Sequence, residues 1–134
     1  MTEAVTIKDK ETFERCRDEF YKSLGSENNI SDLCFSNLFT WSDSLKTRRR
    51  IIDGFYCVSL EFAGGWYHYA PLGGVEGYES VLEIICAGKE IELIMVPEVF
   101  LPALRSFKQR LAPFTQVHKY NVVLTRTHHE ARGG

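Results

Sequence analysis

The 134-residue sequence has no apolar run near the roughly 18 residues that a bilayer-crossing helix needs. Its first residues, Met1-Thr2-Glu3-Ala4, lack the basic and apolar regions of a secretory signal, so the chain reads as a cytoplasmic protein without an integral membrane segment. It also lacks a strong charge of either sign. Eighteen acidic against 16 basic residues leave a formal charge of −2, which excludes global attraction to nucleic acid or to an anionic membrane and leaves such partners only a local patch. Close cysteine pairs are missing as well. Cys16, Cys34, Cys57 and Cys86 stand far apart, each inside an apolar pattern, as buried reduced thiols do. His128 and His129 adjoin in a polar tail and cannot share a helical face, so the spacings offer no metal site. Finally, no aspartate follows Asp53, which leaves only glutamates as carboxylates in the second half of the chain.

What is present is 44% apolar residues in alternating helical and strand periods, enough for one domain over residues 1–126 followed by a polar tail, 127–134, that should fray. Ala4 to Lys8 is β-prone. Asp9 then caps a helix carrying Phe13, Cys16, Phe20 and Leu24 on one face. Ser31 or Asp32 can start a second helix striped by Cys34, Leu38, Trp41 and Leu45, with Phe35 and Phe39 widening the stripe. Asp53-Gly54 and Gly64-Gly65 punctuate three antiparallel strands, the last running from Trp66 to Pro71. Tyr78, Val81, Leu82 and Ile85 form a third helical stripe, and Ile91 to Val96 is the continuous apolar run of a buried strand, which together make a right-handed crossover. A helix starting near Pro97 and Pro102 carries Phe100, Leu104, Phe107 and Leu111, and Phe114 to Thr125 reads as one final strand.

The expected order is therefore β-α-α-β-β-β-α-β-α-β, a mixed α/β sheet that begins as a meander and turns parallel. This order resembles the Gcn5-related N-acetyltransferase (GNAT) fold with its usual seventh strand missing. Two stretches sharpen the resemblance: Phe35-Ser36-Asn37-Leu38-Phe39-Thr40-Trp41 on the second helix and Tyr69-Ala70-Pro71-Leu72-Gly73 at the end of the third meander strand. They are similar to the first of two tandem GNAT-type halves in the aminoacyltransferase region of phosphatidylglycerol lysyltransferases and their soluble relatives. Tyr120-Asn121-Val122-Val123-Leu124 departs from that family's Asp-Tyr-x-Tyr strand, and the family's second half, with its Lys-Arg-Asn segment, has no counterpart in the 134 residues. The resemblance thus implies a bacterial half domain that serves as a scaffold or pairs with a second half or copy.

Candidate sites follow from residue chemistry. Gly73, Gly74 and Gly77 join a strand to a helix, where backbone amides can hold a phosphate, and the GNAT resemblance implies the pyrophosphate of coenzyme A at that position. No Lys or Arg occurs from Trp66 to Gly88, however, and Glu76 would repel an anion, so the glycines read more simply as a tight turn. Arg48, Arg49 and Arg50 could seat a phosphate or an anionic lipid headgroup, though alternation on a strand lets at most two face the same way. From Arg105 onward six basic residues face one acid, Glu130, and could extend a basic surface. Asn37 and Trp41, one helical turn apart, could grip a ligand but read as architecture. Glu92, alternating with Ile91 and Leu93, suggests an edge strand or a polar sheet face, and His68 a strand residue with a satisfied ring. No Ser-His-Asp or Cys-His set has meaningful spacing, so no catalytic residue is assigned. The competing expectation is a small self-sufficient acyl- or aminoacyltransferase that uses coenzyme A or aminoacyl-tRNA.

Overall fold

The computed structural model of the chain describes residues 2–25, 33–87, 89–106, 114–118 and 120–124. A two-residue strand β1 (Glu3–Ala4) leads through a 3-10 turn (Ile7–Asp9) into α1 (Lys10–Ser23). The Asp9 carboxylate accepts the Thr6 N–H at 2.9 Å, which fixes the chain just before the helix, and Phe13, Cys16 and Phe20 then fall on the buried face at spacings of three and four. Helix α2 is short, Phe35–Thr40, with Cys34 as its N-cap residue; Ser31 and Asp32, the expected caps, lie outside the described residues. The helix stops before Trp41 because residues 41–46 wind into turns that feed β2 (Arg48–Ile52).

Strands β2, β3 (Phe55–Phe62) and β4 (Gly65–Tyr69) form the expected meander. The β2–β3 turn places Asp53 at φ 50° and Gly54 at φ 85°, the pair of positive angles that a two-residue primed turn demands. The second turn is Ala63-Gly64, one residue earlier than the glycine pair suggested, because Phe62 pairs with Gly65. Helix α3 (Tyr78–Cys86) crosses over to β5 (Ile91–Ile94), which runs parallel to β4. A 3-10 turn (Glu98–Phe100) precedes α4 (Leu101–Ser106), while Phe107 and Leu111 fall outside the described residues.

The last segment corrects the sequence reading. Residues 114–125 are not one strand but two, β6 (Phe114–His118) and β7 (Asn121–Leu124), paired antiparallel with an irregularity between Gln116 and His118. Nothing in the loop announced this reversal, since neither Lys119 nor Tyr120 is a turn-forming type and Asn121 comes after the bend. The seventh strand is therefore present. The sheet order is β1-β2-β3-β4-β5-β7-β6, with β7 inserted between β5 and β6. The tail 127–134 lies outside the described residues.

Aromatic rings tie the layers together. Tyr78, fully buried at the start of α3, stacks on Phe20 of α1 (centroids 6.0 Å) and meets Phe55 of β3 (5.4 Å) and Phe100 (4.7 Å) edge-on. Its hydroxyl donates to the Pro71 carbonyl at 2.6 Å. At the other end of α1, Phe13 packs on Tyr56 (5.5 Å) and Phe35 (6.0 Å), which seats both helices on β3. Cys16, Cys57 and Cys86 are buried, all four thiols are free, and desolvation holds Cys57 near pKa 12 and Cys86 near 11, so these two stay protonated. Cys34 is only partly buried, since it precedes its helix and does not join the core stripe.

Replacing Tyr78 by Phe keeps the ring contacts and strands the Pro71 carbonyl. Urea unfolding is expected to show a loss of about 1–3 kcal/mol, the cost of an unsatisfied buried acceptor; a variant as stable as the wild type would refute the role given to this hydroxyl.

Candidate functional site

On one face of the sheet a cleft of about 740 Å³ opens between α2 and the strands. The strand period builds it. Leu60 and Phe62 on β3, Tyr67 and Tyr69 on β4, and Glu92 and Ile94 on β5 are alternate residues whose neighbours point to the opposite face. Asn37, Leu38 and Trp41 close the cleft from α2, Leu45 and Thr47 from the turn beyond it, and Asn121 from β7.

The Asn37 and Trp41 pair is thus brought to a ligand-sized cavity. Trp41 is 56% exposed and forms part of the cleft wall, so its indole is not core as the helical stripe suggested. Glu92 likewise departs from the edge-strand reading, because β5 is an interior strand between β4 and β7. Its carboxylate accepts a hydrogen bond from Asn121 Nδ2 at 3.0 Å, made possible by the register that sets Glu92 opposite Val123 and so diagonal to Asn121. Among the described residues no Lys or Arg lines this cleft. One carboxylate amid Trp41, Tyr67 and Tyr69 favours a cation, through its charge and the aromatic walls around it.

The glycine turn is differently made. Gly73 is buried, and a Cβ placed on it would stand 2.7 Å from the Phe55 ring, so this glycine exists for close packing. The Leu72 amide and carbonyl are both bonded to Tyr56 (3.1 and 2.9 Å), and the Ala70 amide donates to Ile94 O at 3.0 Å, which keeps β4 and β5 joined past the strand end. Gly74 is half-buried near Ser23, and Gly77 sits exposed at φ 81° before α3. Glu76 is exposed beside them, and Glu79 in the first turn of α3 has one carboxylate oxygen buried without a hydrogen-bond partner. Two acids, with no Lys or Arg from Trp66 to Gly88, therefore mark the turn.

The arginines separate as alternation requires. Arg49 lies on the cleft face of the sheet but is held away from it by Glu3 (2.9 Å) and Asp9 (3.4 Å). Behind that pair the Tyr56 hydroxyl is buried beside Asp9 without a well-aligned hydrogen bond, and desolvation together with the Asp9 charge holds its proton well above the ordinary phenol range. Arg48 and Arg50 pair with Ser59 and Cys57 and face the other way, where His68 also lies. Lys108, Arg110, Lys119, Arg126 and Arg132 lie outside the described residues. Among the described residues no group of three or more His, Cys, Asp or Glu is placed to hold a metal ion, and no helix is long and apolar enough to cross a membrane.

No protein-family model matches the sequence, and comparison with curated proteins finds no match. Among solved structures the chain is similar to a conserved protein of unknown function from Bacteroides thetaiotaomicron, with TM-score 0.65 and 21% identity over 85% of this chain and 38% of that one. It is also similar to the PaiA N-acetyltransferase of Thermoplasma acidophilum, solved in complex with coenzyme A, with TM-score 0.55 and 12% identity over 94% of this chain and 98% of that one. These likenesses show the fold, a mixed α/β sheet of the GNAT type. The chain spans well under two thirds of the Bacteroides protein.

If Gly73 serves packing, Gly73→Ala should cost about 1–3 kcal/mol by overpacking, and Phe55→Leu in the same chain should recover much of that loss. A stability series in urea checks this, and a neutral Gly73→Ala would return the residue to a ligand-binding role.

Proposed function

We propose that this chain is a GNAT-like half domain related to the aminoacyl-phosphatidylglycerol synthases, which contributes an amine-accepting cleft and does not by itself hold the acyl donor. The observation that carries the proposal is the chemistry of the β4–α3 turn. A pyrophosphate there would meet Glu76 and Glu79 with no Lys or Arg between Trp66 and Gly88 to offset its charge. The Bacteroides structure supports the same reading by size, since the region similar to this chain is 38% of that protein and leaves room for a second unit. The half-domain reading no longer leans on an absent strand, because the seventh is in place. Its partner is a second GNAT-like unit or another copy, with the aminoacyl donor presented from that side. Within the cleft, the Glu92 carboxylate binds the ammonium form of the acceptor amine, Asn121 orients that carboxylate, and Trp41 with Tyr67 covers the cation.

The second reading, a self-sufficient acyl- or aminoacyltransferase, draws on the complete sheet and on the PaiA likeness. The two are separated by ligand-dependent stability and mass. Coenzyme A or acetyl-coenzyme A at about 100 times a dissociation constant would add about 2.7 kcal/mol if it bound. We expect no rise in Tm with either, and a mass above the monomer at micromolar concentration or a partner recovered as a stoichiometric complex. A monomer that is stabilised by acetyl-coenzyme A and acylates an amine would overturn the half-domain reading.

A further inference from the structure

The sheet face opposite the cleft carries two cations without an ion pair among the described residues. Strand alternation sends Arg48 and Arg50 to this side, while the nearest acids on the other side, Glu3 and Asp9, are both taken by Arg49. Neither Arg48 nor Arg50 makes an ion pair among the described residues; Arg48 is exposed and Arg50 half-buried. Two residues apart on a strand, their Cα atoms are separated by about 6.8 Å, a spacing at which two guanidinium groups can converge on one tetrahedral anion. Register continues the row: Arg48 stands opposite Ser59, and Ser59 opposite His68. Adjacent strands lie about 4.8 Å apart, so His68 is two strands from Arg48 and within reach of an extended arginine. His68 also lines a second cavity, of about 510 Å³, with the 55%-exposed Trp66 and with Ile85, Cys86 and Ile91.

We infer that Arg48, Arg50 and His68 form a binding site for a phosphate group, with Ser59 as an added hydroxyl donor and the Trp66-lined cavity taking the body to which the phosphate is attached. The three residues stand on the sheet face opposite the amine cleft, with Glu92 bordering both cavities, and the site does not depend on the reading of that cleft. Convergence of two arginines supplies charge-assisted hydrogen bonds, and a neutral imidazole beside them can gain a proton when a dianion arrives. In the free protein, burial and then the Arg50 charge lower the His68 pKa from 6.5, so the ring is neutral near pH 7. The other charged groups around it are Arg48, Glu61, which is bound to Lys46 at 3.3 Å, and Lys89, Glu90 and Glu92 on the far wall of the cavity. A bound phosphate cancels the arginine field and accepts from the ring, so it raises the His68 pKa and is taken up with a fraction of a proton. Affinity for the dianion therefore grows as pH falls from 7 toward the His68 pKa, opposed by the phosphate's own second protonation at pH ~6–7.

The test is a titration of the His68 ring signals by NMR, from pH 8 to 5, with and without inorganic phosphate. The expected result is a His68 pKa below 6.5 that moves upward with phosphate. Arg50→Gln should raise the pKa of the phosphate-free protein and weaken phosphate binding about tenfold, and Arg48→Gln should weaken binding alone. Arg48 is exposed, so its variant keeps the test open if Arg50→Gln does not fold. A His68 pKa unmoved by phosphate, or moved equally in Arg48→Gln and wild type, would overturn the site. Flotation with phosphatidylcholine vesicles, with and without phosphatidylglycerol, assigns the source of the phosphate. Binding lost in Arg48→Gln identifies a lipid headgroup, whereas phosphate binding without flotation identifies a soluble phosphorylated ligand.

Discussion

The ring of Tyr78 is the point on which the rest of the structure depends. It stands where α1, the β4–α3 turn, β3 and the approach to α4 converge, touching Phe20, Phe55 and Phe100 while its hydroxyl holds the Pro71 carbonyl. Complete burial pushes its proton well above the usual phenol range, so it remains a donor at any physiological pH. The consequence reaches function. By drawing Pro71 inward and setting Phe55 against Gly73, this junction turns a glycine-containing strand-to-helix connection into a packing element. At the strand-to-helix turn Phe55 packs against Gly73, and Glu76 and Glu79 stand beside the glycines.

What remains open to ligands is the sheet itself, on its two faces. Among the described residues the cleft is lined by one carboxylate and aromatic walls without a Lys or Arg, while the opposite side presents Arg48 and Arg50 near His68. This division arises from the strand period alone. Residues 48, 49 and 50 are chemically identical, yet alternation sends Arg49 to a stabilising network with Glu3 and Asp9 and leaves its neighbours for the other surface.

Much of this was legible in the residue pattern, because local rules governed it. Asp53-Gly54 specified its turn through positive φ angles, the apolar stripe of Phe13, Cys16 and Phe20 specified α1, and the run after Ile91 specified a buried strand. The reversal between His118 and Asn121 was not legible, since pairing of β7 with β5 and β6 imposes it without a turn-forming residue type in the sequence there. Helix α2 was overextended for a related reason: Trp41 and Leu45 keep the helical spacing, but they face the cleft from a series of turns. Glu92 was noticeable among apolar neighbours. Its meaning required knowing that β5 is interior and that Asn121, 29 residues away, would be brought within hydrogen-bonding distance.

The cleft at Glu92, and not the glycine turn, is proposed as the place that receives the small-molecule ligand. Backbone chemical-shift mapping tests it most directly, with 2-phenylethylamine and coenzyme A titrated separately into the same labelled protein. The amine is expected to move signals at Asn37, Trp41, Tyr67, Glu92 and Asn121, while coenzyme A leaves Gly73, Gly74 and Gly77 in place. Saturable shifts at those three glycines with coenzyme A, and none in the cleft with the amine, would contradict it.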